Sequence, residues 1–513
     1  MLTRTYRLLL LNPKVRYPHY VNQTELANLL GKKSISYPLS LPLIAALTPA
    51  HYLITIKNEE IEQVPFKQQF DLVGITTTAT SMKRACEIAD YFHSRGSIII
   101  MGGTGASYMQ EQALAHADSI ITGEAEGAWK DFITDFERGK PKKIYRSSQV
   151  EYRTSPLPRW DLVSTDLINS LPVQISRGCP FRCEFCVVSE LFGNKMRMRD
   201  IDDVISEIKS LPVDRIFFVD DNLTVNRAYA GRLMAELKKL SINWTCQCDV
   251  RVASDKELLA AMADAGCFSI LVGMESLNPQ SLKDAGKYHN TVERYRNAVE
   301  NIHNHGMHLF ASFIVGFDSD TESEFERIRL FALDAGIAYL SLNILTVVPG
   351  TILYERMKKH DRLQNNIPDF INGIFPSMRY KLVSQTGMLD AFFSALRRMY
   401  HIDSFAQIAE KLFSCGSFTR IRSGRVGFFI KLKISLLLVY RYIFKSAKHR
   451  MLMIRLFSMA GRGILSYDEA VIFLLSMAGF EDYLQKAGKF IPEARKVIAA
   501  ADPGPLDLRK NPY

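Results

Sequence analysis

Two stretches of this chain repeat one local rhythm, a short apolar run followed by an amphipathic one. Strands that alternate with helices pair in parallel and bury both faces of their sheet, so this rhythm constrains the fold more than any other feature. In the first stretch, residues 1–145, strands are predicted over Tyr6–Leu11, Tyr52–Ile56, Leu72–Thr76, Ser97–Met101 and Ser119–Ile121. Helices are predicted over Leu39–Leu47 and Ser81–Ser94. Right-handed crossovers make this a doubly wound, Rossmann-like α/β domain whose ligand lies outside the carboxyl ends of the strands. Those ends carry Thr76 and Thr77, then Gly102 and Gly103, then Gly123 and Glu124. Such loops are small and polar enough to let a large ligand approach the backbone; the alternative is that their glycines only turn the chain. Asn12-Pro13-Lys14 follows the first strand in place of a glycine-rich fingerprint, which argues against NAD.

A basic, proline-containing linker at 146–164 leads into the second stretch, 165–374. Its strands are predicted at Val173–Ser176, Arg215–Val219, Trp244–Val250, Ser269–Met274, Leu309–Val315 and Tyr339–Leu345. Six βα units imply an open or partial barrel with its site at the strands' carboxyl ends. Residues 375–513 lack the alternation and read as helical, over Met388–Met399, Phe405–Phe413, Gly427–Ala447 and Tyr467–Met477. Three such parts agree with a length of 513 residues. The apolar run Leu8–Leu11 is too short for a signal-peptide core, and no stretch is long and apolar enough to span a bilayer. Eight cysteines are too few for a disulfide scaffold, so the expectation is a reducing, cytoplasmic setting in which clustered cysteines serve metal binding or catalysis.

One such cluster stands directly after the first predicted barrel strand, in Ser176-Arg177-Gly178-Cys179-Pro180-Phe181-Arg182-Cys183-Glu184-Phe185-Cys186. Three thiolates on one loop can ligate three irons of a 4Fe–4S cluster and leave the fourth open to a small molecule. Zinc is the alternative, but a tetrahedral site wants a fourth Cys or His close by. Cys246 and Cys248 are about sixty residues on and share one face of a strand, either as a second metal site or as small apolar residues. Cys86, Cys267 and Cys415 are isolated and read as core.

With this motif and this domain order, the chain resembles the cobalamin-binding radical S-adenosylmethionine (SAM) enzymes over about residues 1–360. The resemblance implies three cofactors: a 4Fe–4S cluster, SAM and cobalamin. Cys179, Cys183 and Cys186 would hold the cluster, whose open iron binds the SAM amino and carboxylate groups. SAM is then cleaved to a radical that abstracts hydrogen from an unreactive carbon. Asp220, Asp221 and Asn222 stand where family members hold the SAM amino group, or else form a turn and helix cap. Glu275 would face SAM, Lys287 would pair with its carboxylate, and Gly316 would line the adenine pocket. Gln247 and Ser312 are placed at the site by analogy, and Pro349-Gly350-Thr351 is a further landmark. The loops at Thr76, Thr77, Gly102, Gly103, Gly123 and Glu124 would meet cobalamin. His19, His51, His93 and His116 lie outside any Asp-x-His-x-x-Gly motif, so the corrin is expected to bind without a histidine ligand.

Similar enzymes include hopanoid methylases and bacteriochlorophyll side-chain methyltransferases, which implies C-methylation of an apolar, lipid- or tetrapyrrole-like substrate. Radical cyclisation, rearrangement or oxidation is the other enzymatic reading, and a non-catalytic corrinoid or iron–sulfur carrier is a reading of another class. The family also implies an electron donor such as flavodoxin or ferredoxin.

The net charge of +10 is concentrated in one place. Lys411 to Tyr467 contains twelve Lys or Arg and no Asp or Glu, while the rest of the chain is near neutral, which argues against a nucleic-acid binder. On a helix, Lys431, Arg441, Lys445, Lys448 and Arg455 fall on one half, opposite Leu436, Val439 and Ile443, with Lys433 at the edge and Arg450 out of line. Such a helix either lays its basic face on an anionic membrane, peripheral to the inner membrane surface, or packs on the barrel with that face solvated.

Overall fold

The computed structural model describes residues 4–17, 19, 24–147, 149–153, 155–364, 371–414 and 428–506. The chain divides into two compact units. The first comprises Met1–Pro18, Ser36–Pro212 and Val347–Asn372, and the second His19–Ile35, Val213–Thr346 and Gly373–Tyr513.

The first unit is built on a parallel sheet of six strands: β1 (Tyr6–Asn12), β2 (Tyr52–Asn58), β3 (Leu72–Thr76), β4 (Ile98–Gly102), β5 (Ser119–Thr122) and β6 (Ile144–Arg146). Their order is β2-β1-β3-β4-β5-β6, with Leu8 beside Ile54 on one side and Leu72 on the other. Leu8 to Leu11 are all buried, as a central strand covered on both faces requires. On one face, Leu9, Leu11, Val73 and Ile75 pack with Met82, Ala85, Ile88, Ala89 and Phe92 of the helix Met82–His93. The five predicted strands all form, each within a residue or two of its expected bounds. β6 was missed: it has three residues and follows Lys140, Lys142 and Lys143, so neither period nor composition marks it. The same unit contains β7 (Leu171–Val173) and the short antiparallel pair β8 (Ser176–Arg177) and β9 (Arg197–Met198).

The second unit contains the parallel run β10 (Arg215–Phe218), β11 (Asn243–Cys248), β12 (Cys267–Glu275), β13 (His308–Val315) and β14 (Tyr339–Ile344), each paired with the next. β13 shows how the site face is set apart. Leu309, Ala311, Phe313 and Val315 are buried, while His308, Phe310, Ser312 and Ile314 alternate with them on the less covered face.

Five helices follow: α1 (Gln385–Met399), α2 (Ile402–Phe413), α3 (Phe428–Leu438), α4 (Ala447–Gly461) and α5 (Tyr467–Ala501). Tyr400 anchors them to the strands, donating its hydroxyl to the Leu340 carbonyl at 3.0 Å and stacking on Phe480 with ring centroids 3.9 Å apart. The expected single helix from Gly427 to Ala447 is interrupted. A π-turn, Val439–Ile443, ends α3, and the Ser446 hydroxyl accepts from the His449 N–H at 3.3 Å to start α4. Cys415 and Gly427 lie outside the described residues, as does the side chain of Lys431.

Candidate functional site

In the first unit the cysteine loop leaves β8 through Gly178, whose φ is +90°. A Cβ there would stand 2.6 Å from the Lys195 carbonyl oxygen, so only glycine admits this entry. The loop is fastened by hydrogen bonds from the Cys179 N–H to Gly193 O at 3.2 Å and from the Cys186 N–H to Cys183 O at 3.1 Å. Cys183 is buried and Cys179 and Cys186 are half-buried, none of them in a disulfide. Among the described residues no three His, Cys, Asp or Glu side chains gather around a single-ion position, as zinc would require. A 4Fe–4S cluster takes each thiolate on a different iron, and three cysteines on one shaped loop fit that demand. Glu184 within the loop pairs with Arg356 at 2.8 Å, and the Leu353 N–H donates to its carbonyl at 2.8 Å. Gly350 (φ +88°) lies against the ring of Tyr108, where a Cβ would come within 2.0 Å. Burial raises the Tyr108 pKa, and the nearby charges of Glu190 and Cys186 add to it.

Two arginines flank this loop and reach back to the sheet. Arg177 donates to Glu124 at 2.9 Å and to Glu126 at 2.5 Å. Arg197 donates to Glu124 through both of its terminal nitrogens and to Val150 O at 2.6 Å. Arg177 also lies over the Tyr152 ring at 4.2 Å. Burial alone would raise the Glu124 pKa, but the two guanidinium groups outweigh it and hold the carboxyl below its usual range.

Glu124, expected at the cobalamin loops, is therefore a clamp for the strand that launches the cysteines. Its neighbours at the strand ends divide in the same way. Thr77 is buried; its hydroxyl donates to Gly102 O at 2.9 Å and accepts from the Ala106 N–H at 2.8 Å. A Cβ on Gly103 (φ +94°) would meet Thr77 O at 2.5 Å, and one on Gly123 (φ +85°) would meet Ser147 O at 2.6 Å. These residues knit loop to loop. Thr76 stays half-buried at the end of β3, and nothing stands within 4 Å of a Cβ placed on Gly102. The histidines lie elsewhere. His51 precedes β2, while His93 and His116 end helices that return to the amino ends of β4 and β5. His19 belongs to the second unit, hydrogen-bonded to Asn343 at 3.0 Å, where burial lowers its pKa to about 4.

In the second unit the expected SAM residues stand at the carboxyl ends of β10 to β13. Asp220 is fully buried, and burial pushes the Asp221 carboxyl up to about 6. Asn222 braces this loop: its amide donates to Asp249 at 2.8 Å and accepts the Asp249 N–H at 3.2 Å. The helix cap there is Asn226. Gln247 is half-buried on the face of β11 opposite Cys246 and Cys248. Those two thiols are buried 3.6 Å apart, and burial drives both pKa values well up, as befits core side chains. Cys267 is buried as well, and burial raises Cys86 to about 11.

Glu275 ends β12 with φ at +66°, past a bulge at Gly273. It is buried and paired with the buried Lys287. A Cβ on Gly273 would stand 2.2 Å from the Glu275 carboxylate and 2.8 Å from Lys287 Nζ, so the glycine makes room for the pair. Asn290 fixes the preceding backbone by donating to Gly273 O and Met274 O, each at 3.0 Å. The Ser312 hydroxyl lies 3.5 Å from the Asn343 amide. Gly316 (φ +128°) abuts the Tyr380 ring, and its N–H donates to Asp320 at 3.0 Å.

Known proteins resemble this chain in sequence and fold. Residues 173–332 fit the model of the radical SAM superfamily. The chain is 28% identical over 392 residues to bacteriochlorophyllide d C-12(1)-methyltransferase of Chlorobaculum tepidum, covering 74% of this chain and 86% of that protein. Hopanoid C-2 methylase of Rhodopseudomonas palustris is 25% identical over 343 residues, 64% of this chain and 65% of the relative. In fold, it matches the cobalamin-dependent SAM radical enzyme OxsB, solved with aqua-cobalamin and SAM, with a TM-score of 0.55 at 15% identity over 97% of this chain and 84% of that one.

Sequence reasoning missed Arg177 and Arg197 as clamps, Tyr380 beside Gly316, and Asn343. Arg177 was visible as the residue two before Cys179, but its partners lie more than fifty residues upstream. Tyr380 stands in a stretch with no motif.

Proposed function

We propose that the chain is a cobalamin-dependent radical SAM C-methyltransferase acting on an apolar, polycyclic substrate of lipid or pigment type. One observation carries the reading: the three-cysteine loop and the doubly wound sheet are built as one piece, joined through Arg177, Arg197, Glu124 and Glu126. A carrier of either cofactor alone needs no such joint. Cys179, Cys183 and Cys186 would hold the cluster, and Thr76 and Gly102 would face the corrin. SAM is a zwitterion at its methionyl end, and the second unit offers complementary groups: Asp221 and Glu275 for the ammonium, Lys287 for the carboxylate. Gly316 would take the adenine, with Gln247 and Ser312 on the same strand-end face. When bound, the cluster supplies one-electron reduction of SAM and the corrin supplies a methyl carrier. The protein's share is to orient these groups and to keep water and oxygen from them. The pigment and hopanoid substrates of the two relatives support the substrate class.

A flavodoxin or ferredoxin would deliver the electron, and contact with a membrane surface would bring an apolar substrate within reach. No described helix is long and apolar enough to cross a membrane. The test is anaerobic reconstitution with cobalamin, a low-potential reductant and methyl-labelled SAM. The expected results are 5′-deoxyadenosine and label in a tetrapyrrole or polycyclic lipid, with Cys183→Ala abolishing both. Full label transfer in protein free of corrinoid would overturn the cobalamin reading, and absence of 5′-deoxyadenosine would overturn the radical one.

A further inference from the structure

The basic residues of the C-terminal segment are engaged by acids from elsewhere in the chain. Arg441 pairs with Asp482 at 2.6 Å, Lys445 with Glu481 at 2.6 Å and Lys448 with Asp403 at 2.6 Å, and Arg455 pairs with Glu410. The buried side of this segment is Leu438 and Tyr442, whose hydroxyl donates to Leu474 O at 2.6 Å. Beside these pairs an apolar stripe faces solvent. Leu432, Leu436, Tyr440 and Phe444 recur every four residues along α3 and its π-turn, and the last three are 62%, 73% and 73% exposed. On α4, Met451 and Ile454 are exposed too. Eight of the sixteen exposed large hydrophobic side chains among the described residues fall between Leu432 and Tyr467. Single exposed apolar residues are ordinary, but a stripe on a helix that is apolar nearly all round is not.

We infer that this stripe is a membrane-docking face that lies in the plane of an anionic bilayer. Two arguments choose lipid over a second copy of the chain. Lys433 is exposed within the stripe, between Leu432 and Leu436, and Arg450 is exposed at the start of α4, donating to Ile443 O at 3.0 Å. A symmetric dimer through this face would set these two cations against their own copies. A bilayer takes the apolar side chains into its acyl boundary and meets the cations with phosphate. The four ion pairs above neutralise the other basic groups at the surface, so docking here runs through apolar insertion, with charge as a guide. Only the purpose of docking, access to an apolar substrate, rests on the function proposed above; the binding itself does not.

Full-length protein would be sedimented with phosphatidylcholine vesicles with and without phosphatidylglycerol. The wild type should bind the anionic vesicles and release several-fold in high salt. The double variant Leu436→Ser/Phe444→Ser should lose about tenfold or more in partitioning. Lys433→Glu should lose less and flatten the salt dependence. SAM cleavage with a soluble reductant should be unchanged in all three; its absence in the wild type would strike the proposed enzyme function and leave this inference standing. The inference fails if the wild type ignores both vesicles, or if the double variant binds as well as the wild type. It also fails if the wild type sediments alone as a dimer that the double variant splits, because a second copy would then cover the face.

Discussion

Glu124 of the first unit and Glu275 of the second unit hold matching places in the sequence, each a carboxylate at or just past a strand end where a cofactor is expected. Both are buried and both are ion-paired, yet they differ in kind. Glu124 meets two guanidinium forks that cover both of its oxygens, and Arg177 is itself fixed by Glu126 and the Tyr152 ring. A planar fork holds its geometry, and an arginine keeps its charge when buried. Glu275 meets a single lysine, on backbone at positive φ, in space left by a glycine. An ammonium on a flexible stem can swing to another anion. The first carboxylate is saturated structure; the other belongs to a pair that a zwitterionic ligand can open.

The most forceful way to break this contrast is Glu124→Ala. It leaves Arg177 and Arg197 short of their shared carboxylate inside the protein, a change that costs about 3–5 kcal/mol when one partner of a buried pair is removed. The urea midpoint should fall accordingly, with the slope of the transition unchanged. A loss below about 1 kcal/mol would mean that water reaches the arginines and that Glu124 is not the clamp described here.

Lys287→Met sharpens the other side. If the lysine serves SAM, its loss should weaken SAM binding by roughly ten- to a hundredfold, the worth of about 1.5–3 kcal/mol for a hydrogen bond to a charged group. Titration calorimetry on the anaerobic protein reads this directly. The urea midpoint should move less than for Glu124→Ala, because Glu275 ends a strand and can regain water or a proton. Unchanged SAM affinity with a large stability loss would make Glu275–Lys287 a second clamp and erase the distinction.

What could be read in advance follows from distance along the chain. The cysteine loop was legible because its spacing, its glycine and its preceding strand lie within a dozen residues. Most strands of both sheets were legible because each has its own period, and β6, with three residues, was too short to show one. The fate of Glu124 was not, since its arginines lie 53 and 73 residues away and nothing in a loop pattern announces them. Thr77, Gly103 and Gly123 were read as loops open to a ligand, while the contacts that use them come from the neighbouring strand's loop. The C-terminal helices failed in the same manner. Counting acids inside Lys411–Tyr467 found none, but Asp403, Glu410, Glu481 and Asp482 flank that stretch and fold back onto it. Local sequence says which residues reach a strand end or a helix face; long-range partners decide which of them remain available.

The smallest effect is expected where an ion pair looks best by distance alone. Arg441 and Asp482 make two contacts, at 2.6 and 2.7 Å, as good as those of Glu124. Their side chains, however, are 23% and 26% exposed, against 1% for Glu124. Water and counterions share this pair, so the Coulomb gain is screened and two long side chains must be ordered to make it. A double-mutant cycle with Arg441→Ala and Asp482→Ala should give a coupling of about 0.5–1 kcal/mol that shrinks further in high salt. Neither single variant should approach the loss in Glu124→Ala, since a cation at the rim can turn to solvent once its acid is gone. A salt-independent coupling of several kcal/mol would show that α5 and the π-turn exclude water around Arg441. Depth of burial would then no longer separate the two kinds of ion pair, and the fold would rest on its C-terminal pairs as firmly as on the clamp behind the cysteines.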